Sequence, residues 1–513
     1  MDRSSSGAGE GRGARPTAHE LARYEALFAS RTRSMKSSAM REMMALTERP
    51  DVISLAGGLP DTTTFEPELY AKLMSHVAAE STARALQYGP TDGMTATVDC
   101  IVEVMAAEGT LIDPSEVIVT TGGQQVIDLV CKALIDPGDV IVAEAPTYPG
   151  AVPTFGAYQA EVAQIEMDSD GMPIEELEIV LDRLQARGRR PKFIYTIPNF
   201  QNPGGVTMSL ARRRELLVLE DNPYGLLRYE GEPLPTLYSL DAEVLGSGGG
   251  ADLVIYLGTF SKILSPGLRL GWAVAPRPVL EKLNLGKQGA DLCSSPVTQL
   301  FVAAYFNERD PGGGRRWRAY LEQLKVLYSR RRDVMLEALA DHFADDARWT
   351  KPQGGLFIWA TLDERIDTTD LLALARESQG VAFVPGRAAY VDGRSGSSSM
   401  RLNFAGVPEE DIREGMRRIG KVVREQLSLI GTLSGSVPSS RNLARGAAER
   451  EPGTPPGGEA AQVDRGVAGG GLRAGSPGAG QDAGPGGDDS GLADVVALPR
   501  RASEGSARRR RDR

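Results

Sequence analysis

Between about residues 95 and 325 the chain alternates short apolar, β-branched runs with helix-forming segments. That alternation limits its fold more than any other feature. Val117 to Thr120, Val140 to Ala143, Glu161 to Met167, Phe193 to Pro198, Leu253 to Leu257 and Leu270 to Ala275 read as strands. Helices are expected after Gly122 through Leu134 and over Glu175 to Arg187. Short buried strands interleaved with helices specify a mainly parallel sheet covered on both faces. Ligands of such sheets sit at the carboxyl ends of the strands. The residues that follow each strand are therefore the ones to inspect for chemistry.

The flanks read differently. Leu21 to Phe28 and Ser38 to Leu46 are expected to be helical, the second with Ser37 or Ser38 as its N-cap. Val52 opens a short strand that ends in the loop Gly57 to Pro60, and Glu66 to Glu80 is a helix. A long helix, Trp317 to His342, leaves the large domain. Strands at Trp349 to Leu362, Ala382 to Pro385 and Met400 to Phe404 then alternate with helices at Thr369 to Glu377 and Glu409 to Gln426, which implies a smaller α+β domain. Residues 1–18 and 435–513 are rich in Gly, Ser, Pro and Arg; they cannot bury enough apolar surface to fold and are expected to be disordered. The tail ends in a basic cluster, Arg508 to Arg511, read as solvated.

Several function classes are disfavoured by counting. The three histidines (His19, His76, His342) are scattered, which leaves little support for a His-based triad or a His-ligated metal. Cys100, Cys131 and Cys293 form no C-x-x-C pair, which fits a reducing compartment. A net charge of −10 argues against a general nucleic-acid surface. No apolar run reaches membrane-spanning length. The expected location is the cytoplasm.

The stretch from Thr259 to Trp272 leaves the end of a buried strand and sets Lys262 among Thr259, Ser261 and Ser265, with Arg269 seven residues on. Desolvation and a nearby cation lower a lysine's pKa and make its amine a nucleophile toward carbonyls. Hydroxyls and a guanidinium make a strong seat for an anion. An aldehyde carrying its own phosphate, pyridoxal phosphate, satisfies both halves. Other strand ends carry matching pieces. Gly122 to Gln125 opens a helix where backbone amides favour a phosphate. Tyr148 follows the strand at Val140. Asn202 lies in an Asn-Pro-Gly-Gly turn. Asp221 ends the strand that begins at Leu217, where a carboxylate is expensive unless paired. Arg401 sits on a later strand and calls for a bidentate anion.

These motifs, in this order, resemble those of the class I/II aminotransferases, the fold-type I pyridoxal-phosphate enzymes. The similarity is greatest to the branch with 2-aminoadipate, kynurenine and aromatic aminotransferases and the catalytic halves of MocR-type regulators. It covers about residues 35 to 430. The resemblance implies a large α/β cofactor-binding domain over 66–325 and a small domain over 326–430, with 19–65 contributing to the small domain and to an active-site loop. It implies Lys262 as the catalytic lysine. Gly123, Gln124, Thr259, Ser261 and Arg269 would contact the phosphate and Tyr148 would stack on the ring. Asp221 would pair with the ring nitrogen, and Asn202 and Tyr224 would meet the phenolic oxygen. Arg401, Asn202 and Gly58 would face the substrate. Tyr88 would reach the cofactor of a neighbouring subunit, so a homodimer is expected. The reaction implied is ping-pong transfer of an amino group between an L-amino acid and a 2-oxo acid. Glutamate and 2-oxoglutarate would be one pair, with an aminoadipate, aromatic or branched-chain partner.

Two departures stand out. Gly204 occupies a position where the resemblance implies Thr. Asn202 and Asp221 are only 19 positions apart (221 minus 202). That is roughly nine residues fewer than the resemblance implies for a loop, crossover helix and strand, and it leaves Ser209 to Leu216 for the helix. If the strand cannot return to the sheet, Asp221 and Tyr224 are misplaced. The alternative readings are then a MocR-like effector-binding protein or a catalytically impaired cofactor-binding protein.

Overall fold

The computed structural model describes residues 24, 27–33, 35, 51–209, 212, 218–245, 252–343 and 347–433. The helix expected over Ser38 to Leu46, most of those over Leu21 to Phe28 and Ser209 to Leu216, and both terminal segments lie outside the described residues. The chain divides into two units, residues 1–426 with 494–513, and 427–493. The architecture below belongs to the first.

Among the described residues the strands run in chain order as β1 Ile53–Ser54, β2 Val117–Thr120, β3 Val140–Ala145, β4 Glu161–Glu166, β5 Pro191–Thr196, β6 Val218–Asp221, β7 Ile255–Thr259, β8 Gly271–Val274, β9 Arg348–Trp349, β10 Phe357–Thr361, β11 Val381–Ala382, β12 Val384–Pro385 and β13 Ser399–Asn403. The large sheet has seven strands in the order β2-β8-β7-β6-β5-β3-β4. Only β8 runs against its neighbours; β4, β3, β5, β6 and β7 are mutually parallel. The expected mainly parallel sheet is therefore present. β2, β3, β6, β7 and β8 are buried along their whole length, as continuous apolar runs demand when helices cover both faces. The helix Gly123–Leu134 packs Val126, Ile127, Leu129, Val130 and Cys131 inward, the spacing of a wide apolar stripe.

A second, four-stranded antiparallel sheet has the order β12-β13-β10-β9, and β1 pairs in parallel with β11. Two expected strands split. Trp349 to Leu362 becomes β9 and β10, joined by a turn in which Gly355 has a positive φ of 73°. Ala382 to Pro385 divides between two sheets, β11 going to β1 and β12 to β13. Helices Thr95–Ala107, Arg277–Gln288 and Pro296–Asn307 are also present; the sequence reading gave them no boundaries, because two are apolar nearly all round and lack a clean periodic stripe.

The short span before Asp221 leaves β6 in place. Ile194 to Thr196 pair with Val218 to Glu220, and Leu219 to Asp221 pair with Ile255 to Leu257. Buried Glu220 accepts bonds from the backbone N–H groups of Leu237 (3.1 Å) and Tyr238 (2.9 Å), an anion at the start of the helix Leu237–Leu245. The strand is thus held from three sides.

Gly258 fixes how closely β7 and β8 approach. A Cβ there would lie 2.2 Å from the Trp272 ring, whose indole is fully buried. We expect Gly258→Ala to destabilise the fold by about 1–3 kcal/mol through overpacking, measured by chemical denaturation of the cofactor-free protein.

Candidate active site

Because the central strands are parallel, the segments after β2, β3, β5, β6 and β7 emerge at one end of the sheet. They open on a cavity of ≈ 520 Å³. All of the expected site residues line it except Tyr88, which is 79% exposed on the protomer surface. Ser265, expected among the hydroxyls around the lysine, does not line it, although Pro266 and Gly267 do.

Lys262 leaves the end of β7 and donates from Nζ to the carbonyl of Gly58 (2.7 Å) in the loop before Pro60. Burial pushes its amine down to about 8, and the guanidiniums of Arg401 and then Arg269 add to the effect, with Asp221 opposing. The sequence reading attributed such a shift to desolvation and one cation; the structure adds Arg401 as a second.

Near Lys262 lies a cluster of anion-binding groups. The helix Gly123–Leu134 follows β2 after a two-residue turn, and Gly123 and Gln124 of its first turn, where backbone amides lack intrahelical partners, line the cavity. The hydroxyls of Thr259 and Ser261 are 2.9 Å apart, and the Ser261 N–H donates to Thr259 Oγ1 (3.1 Å). Arg269, in the left-handed region (φ 49°), reaches over Gly122 (φ 82°). A Cβ on Gly122 would stand 2.6 Å from Arg269 Nη2. Only glycine admits both the backbone angle and the guanidinium. The Gln124 side chain is turned aside, donating to the Gly150 carbonyl (3.2 Å) and to Thr154 Oγ1 (2.7 Å), so its backbone amide is the part free to serve an anion.

Asp221 ends β6 and is buried. Burial raises its carboxyl to about 6, while the Tyr195 hydroxyl and then Lys262 pull the other way. Tyr195 Oη donates to Asp221 Oδ2 at 2.6 Å. The sequence reading missed Tyr195: it lies inside strand β5, not after it, and only the strand order β6-β5 brings it beside Asp221.

Arg401 enters from β13 of the second sheet and is fully buried. Nη1 donates to Asn202 Oδ1 (2.9 Å), Nη2 to the Ala56 carbonyl (2.8 Å), and the Phe357 ring lies 4.3 Å from the guanidinium carbon. Hydrogen bonds and a cation–π contact offset the desolvation of the charge. Burial lowers its pKa to about 10, so it remains a cation at neutral pH. Asn202 Nδ2 donates to Tyr224 Oη (3.4 Å), and Tyr148 lines the cavity with its hydroxyl pushed up by burial.

The cavity therefore joins a nucleophilic amine, an anion seat of helix amides, hydroxyls and Arg269, and a buried carboxylate. Those are the groups that a phosphorylated pyridine aldehyde needs. No group of three or more metal-ligating side chains occurs among the described residues, and no described helix is long and apolar enough to cross a membrane.

The family model for aminotransferase class I and II matches residues 50–419. The chain is 42% identical over 414 residues to the aromatic-amino-acid aminotransferase 1 of Thermococcus litoralis, covering 79% of this chain and 95% of that one. It is 37% identical over 405 residues to the 2-aminoadipate transaminase of Thermus thermophilus, covering 77% and 96%. Among solved structures, the Pyrococcus horikoshii kynurenine aminotransferase in complex with PMP superposes with a TM-score of 0.72 at 38% identity, covering 79% of this chain and 99% of that one.

Proposed function

The chain belongs to the class I and II aminotransferases, and on that premise we propose that its cavity carries out pyridoxal-phosphate-dependent transamination with Lys262 as the catalytic amine. The observation that carries this reading is the convergence of Lys262, Asp221 and Arg401 on one cavity. In this reading the amides at Gly123 and Gln124, the Thr259 and Ser261 hydroxyls and Arg269 hold the phosphate. Tyr148 lies against the ring, and Asn202 and Tyr224 meet its phenolic oxygen. When bound, the cofactor supplies an aldehyde that condenses with amines and a ring that accepts electron density from the substrate Cα.

The protein's part is binding, orientation and proton movement. Asp221 holds a proton at the pyridine nitrogen. Arg401 holds the substrate α-carboxylate bidentately, with Asn202 orienting the guanidinium and Gly58 bounding the substrate. Lys262 Nζ would take the proton from the substrate Cα as base and give it up as acid to the carbon of the cofactor's aldehyde group. A second half-reaction with another oxo acid restores the starting enzyme. L-Glutamate and 2-oxoglutarate form one pair, and an aminoadipate, aromatic or branched-chain amino acid the other. The relatives named for aromatic amino acids and 2-aminoadipate support that choice. With β6 in its place in the sheet, a MocR-like effector-binding or impaired protein is the weaker reading.

The working unit in this reading is a homodimer in which the exposed Tyr88 crosses to the partner's cofactor. A cytoplasmic setting fits the three free cysteines. A division into a large domain over 66–325 and a small one over 326–430, with 19–65 serving the second, fits the two main sheets.

Adding L-glutamate to the pyridoxal-phosphate-loaded protein is expected to bleach the lysine-bound absorption band. A band that glutamate and a panel of aromatic, branched-chain and aminoadipate donors leave unchanged would overturn transamination. The lowered Lys262 pKa makes a second prediction. Only the neutral amine captures the aldehyde, so capture by the cofactor-free protein should rise about tenfold per pH unit and level off near pH 8. An increase continuing to pH 10 would mean an unshifted lysine.

A further inference from the structure

We propose that Glu144, acting through Gln201, is a positioning residue that ties the loop carrying Asn202 to the loop carrying Tyr148. This rests on the roles given above to Asn202 and Arg401. Glu144 is the penultimate residue of β3 and is 1% exposed. Its Oε2 accepts from the Ile197 N–H (3.1 Å) and from Gln201 Nε2 (3.1 Å), and its Oε1 accepts from the Thr196 hydroxyl. These partners are neutral donors, two of them from the end of β5 and one from the loop beyond it. A buried carboxylate held without a cation among them is an expensive way to fill space.

What Glu144 grips is the hub of the next loop. Gln201, also 1% exposed, donates from Nε2 to the Pro146 carbonyl (2.7 Å) and accepts at Oε1 from the Gly204 N–H (2.7 Å). Its backbone closes the turn through Gly205 N to Gln201 O (2.6 Å) and Gln201 N to Val206 O (2.8 Å). One side chain thus bonds the segment leading to Tyr148 and the turn that presents Asn202. A Cβ at Gly204 would stand 3.0 Å from Gln201 Oε1, so glycine at this position leaves the amide room. Asn202 in turn bonds Arg401 and Tyr224. Displacing the turn would be felt at the substrate clamp while Lys262, in the turn after β7, stays where it is.

The geometry also predicts which substitution is harmless. Two donors meet Oε2, and only a hydroxyl, able to turn and accept, meets Oε1. Glu144→Gln with its amide nitrogen at the Oε1 position keeps every bond. Glu144→Ala orphans the Ile197 N–H and half of the Gln201 amide.

The test uses the loaded enzyme in two measurements: the apparent dissociation constant and limiting rate for L-glutamate in a single half-reaction, and calorimetric binding of 2-oxoglutarate to the pyridoxal form. Glu144→Ala and Gln201→Ala should each weaken both ligands about tenfold or more, with the limiting rate changed less than about threefold. Glu144→Gln should stay within about twofold. The double alanine variant should be no worse than either single one, since both break the same tie. Unchanged binding in a folded Glu144→Ala protein, equal damage from Glu144→Gln, or additive penalties would each overturn the proposal. If Glu144→Ala does not fold, Gln201→Ala set against Glu144→Gln decides it. Arg401→Ala separates the two levels: if it too leaves glutamate and 2-oxoglutarate binding unchanged, the reading of the site is wrong. If it alone weakens them, only the role of Glu144 is.

Discussion

Lys262→Ala is expected to abolish transamination, with a loss of about 10⁴-fold or more, the upper range for a positioned acid–base group. The physical basis is a proton count. At pH 7 a lysine at the usual 10.5 is neutral in about one molecule in 3,000, whereas one lowered to about 8 is neutral in about one in ten. Burial and the Arg401 and Arg269 charges create that amine, and the Gly58 carbonyl 2.7 Å away holds it. In the proposed reading alanine removes the attachment point and the proton carrier together but leaves the groups proposed to seat the phosphate intact. The variant should therefore bind pyridoxal phosphate reversibly and lose it on dialysis, without the lysine-bound absorption band. Added methylamine should restore part of the proton transfer. A variant that keeps its band and its rate would place the chemistry elsewhere.

The second large effect is expected at Asp221. Asp221→Asn keeps the size of the side chain and an oxygen able to accept from Tyr195 Oη, so the end of β6 should remain folded. What it loses is the buried charge that, in the proposed reading, pairs with the ring nitrogen. Removing one preorganised electrostatic group of this kind slows turnover by about 10²–10³-fold. The effect should fall on the limiting rate of the half-reaction, with little change in glutamate binding, because Arg401 and Asn202 are untouched. Asp221 also opposes the lowering of Lys262. In the variant the amine should therefore give up its proton at a lower pH, and capture of pyridoxal phosphate by the cofactor-free protein should level off earlier. Normal turnover in Asp221→Asn, measured by stopped-flow absorbance, would remove the carboxylate from the mechanism.

Much of this site was legible in the chain because each motif stands just after a strand. Thr120, Ala145, Thr196, Asp221 and Thr259 end strands that share one direction, so Gly123, Tyr148, Asn202, Asp221 and Lys262 had to meet at one end of the sheet. The partners that lie inside strands were not legible. Tyr195 and Glu144 look like core positions of β5 and β3, and nothing local distinguishes them from residues that only fill space. Arg401 was found, but its full burial and its bonds to Ala56 and Asn202 depend on how the second sheet packs against the loop at Gly57.

By itself the amino-acid order determined the alternating α/β architecture, the chemistry at the strand ends and the family to which these belong. Hydrophobic period and turn residues act over a few positions and can be read directly. The tertiary structure alone decided that β6 returns to the sheet after a span of 19 positions (221 minus 202). It also decided that β8 runs antiparallel, that two cations bear on Lys262, that Gln201 bonds Glu144 and that Tyr195 bonds Asp221. Those outcomes depend on pairing between segments distant in sequence, where the free energy of burial and of satisfied hydrogen bonds is shared among elements that no local pattern connects.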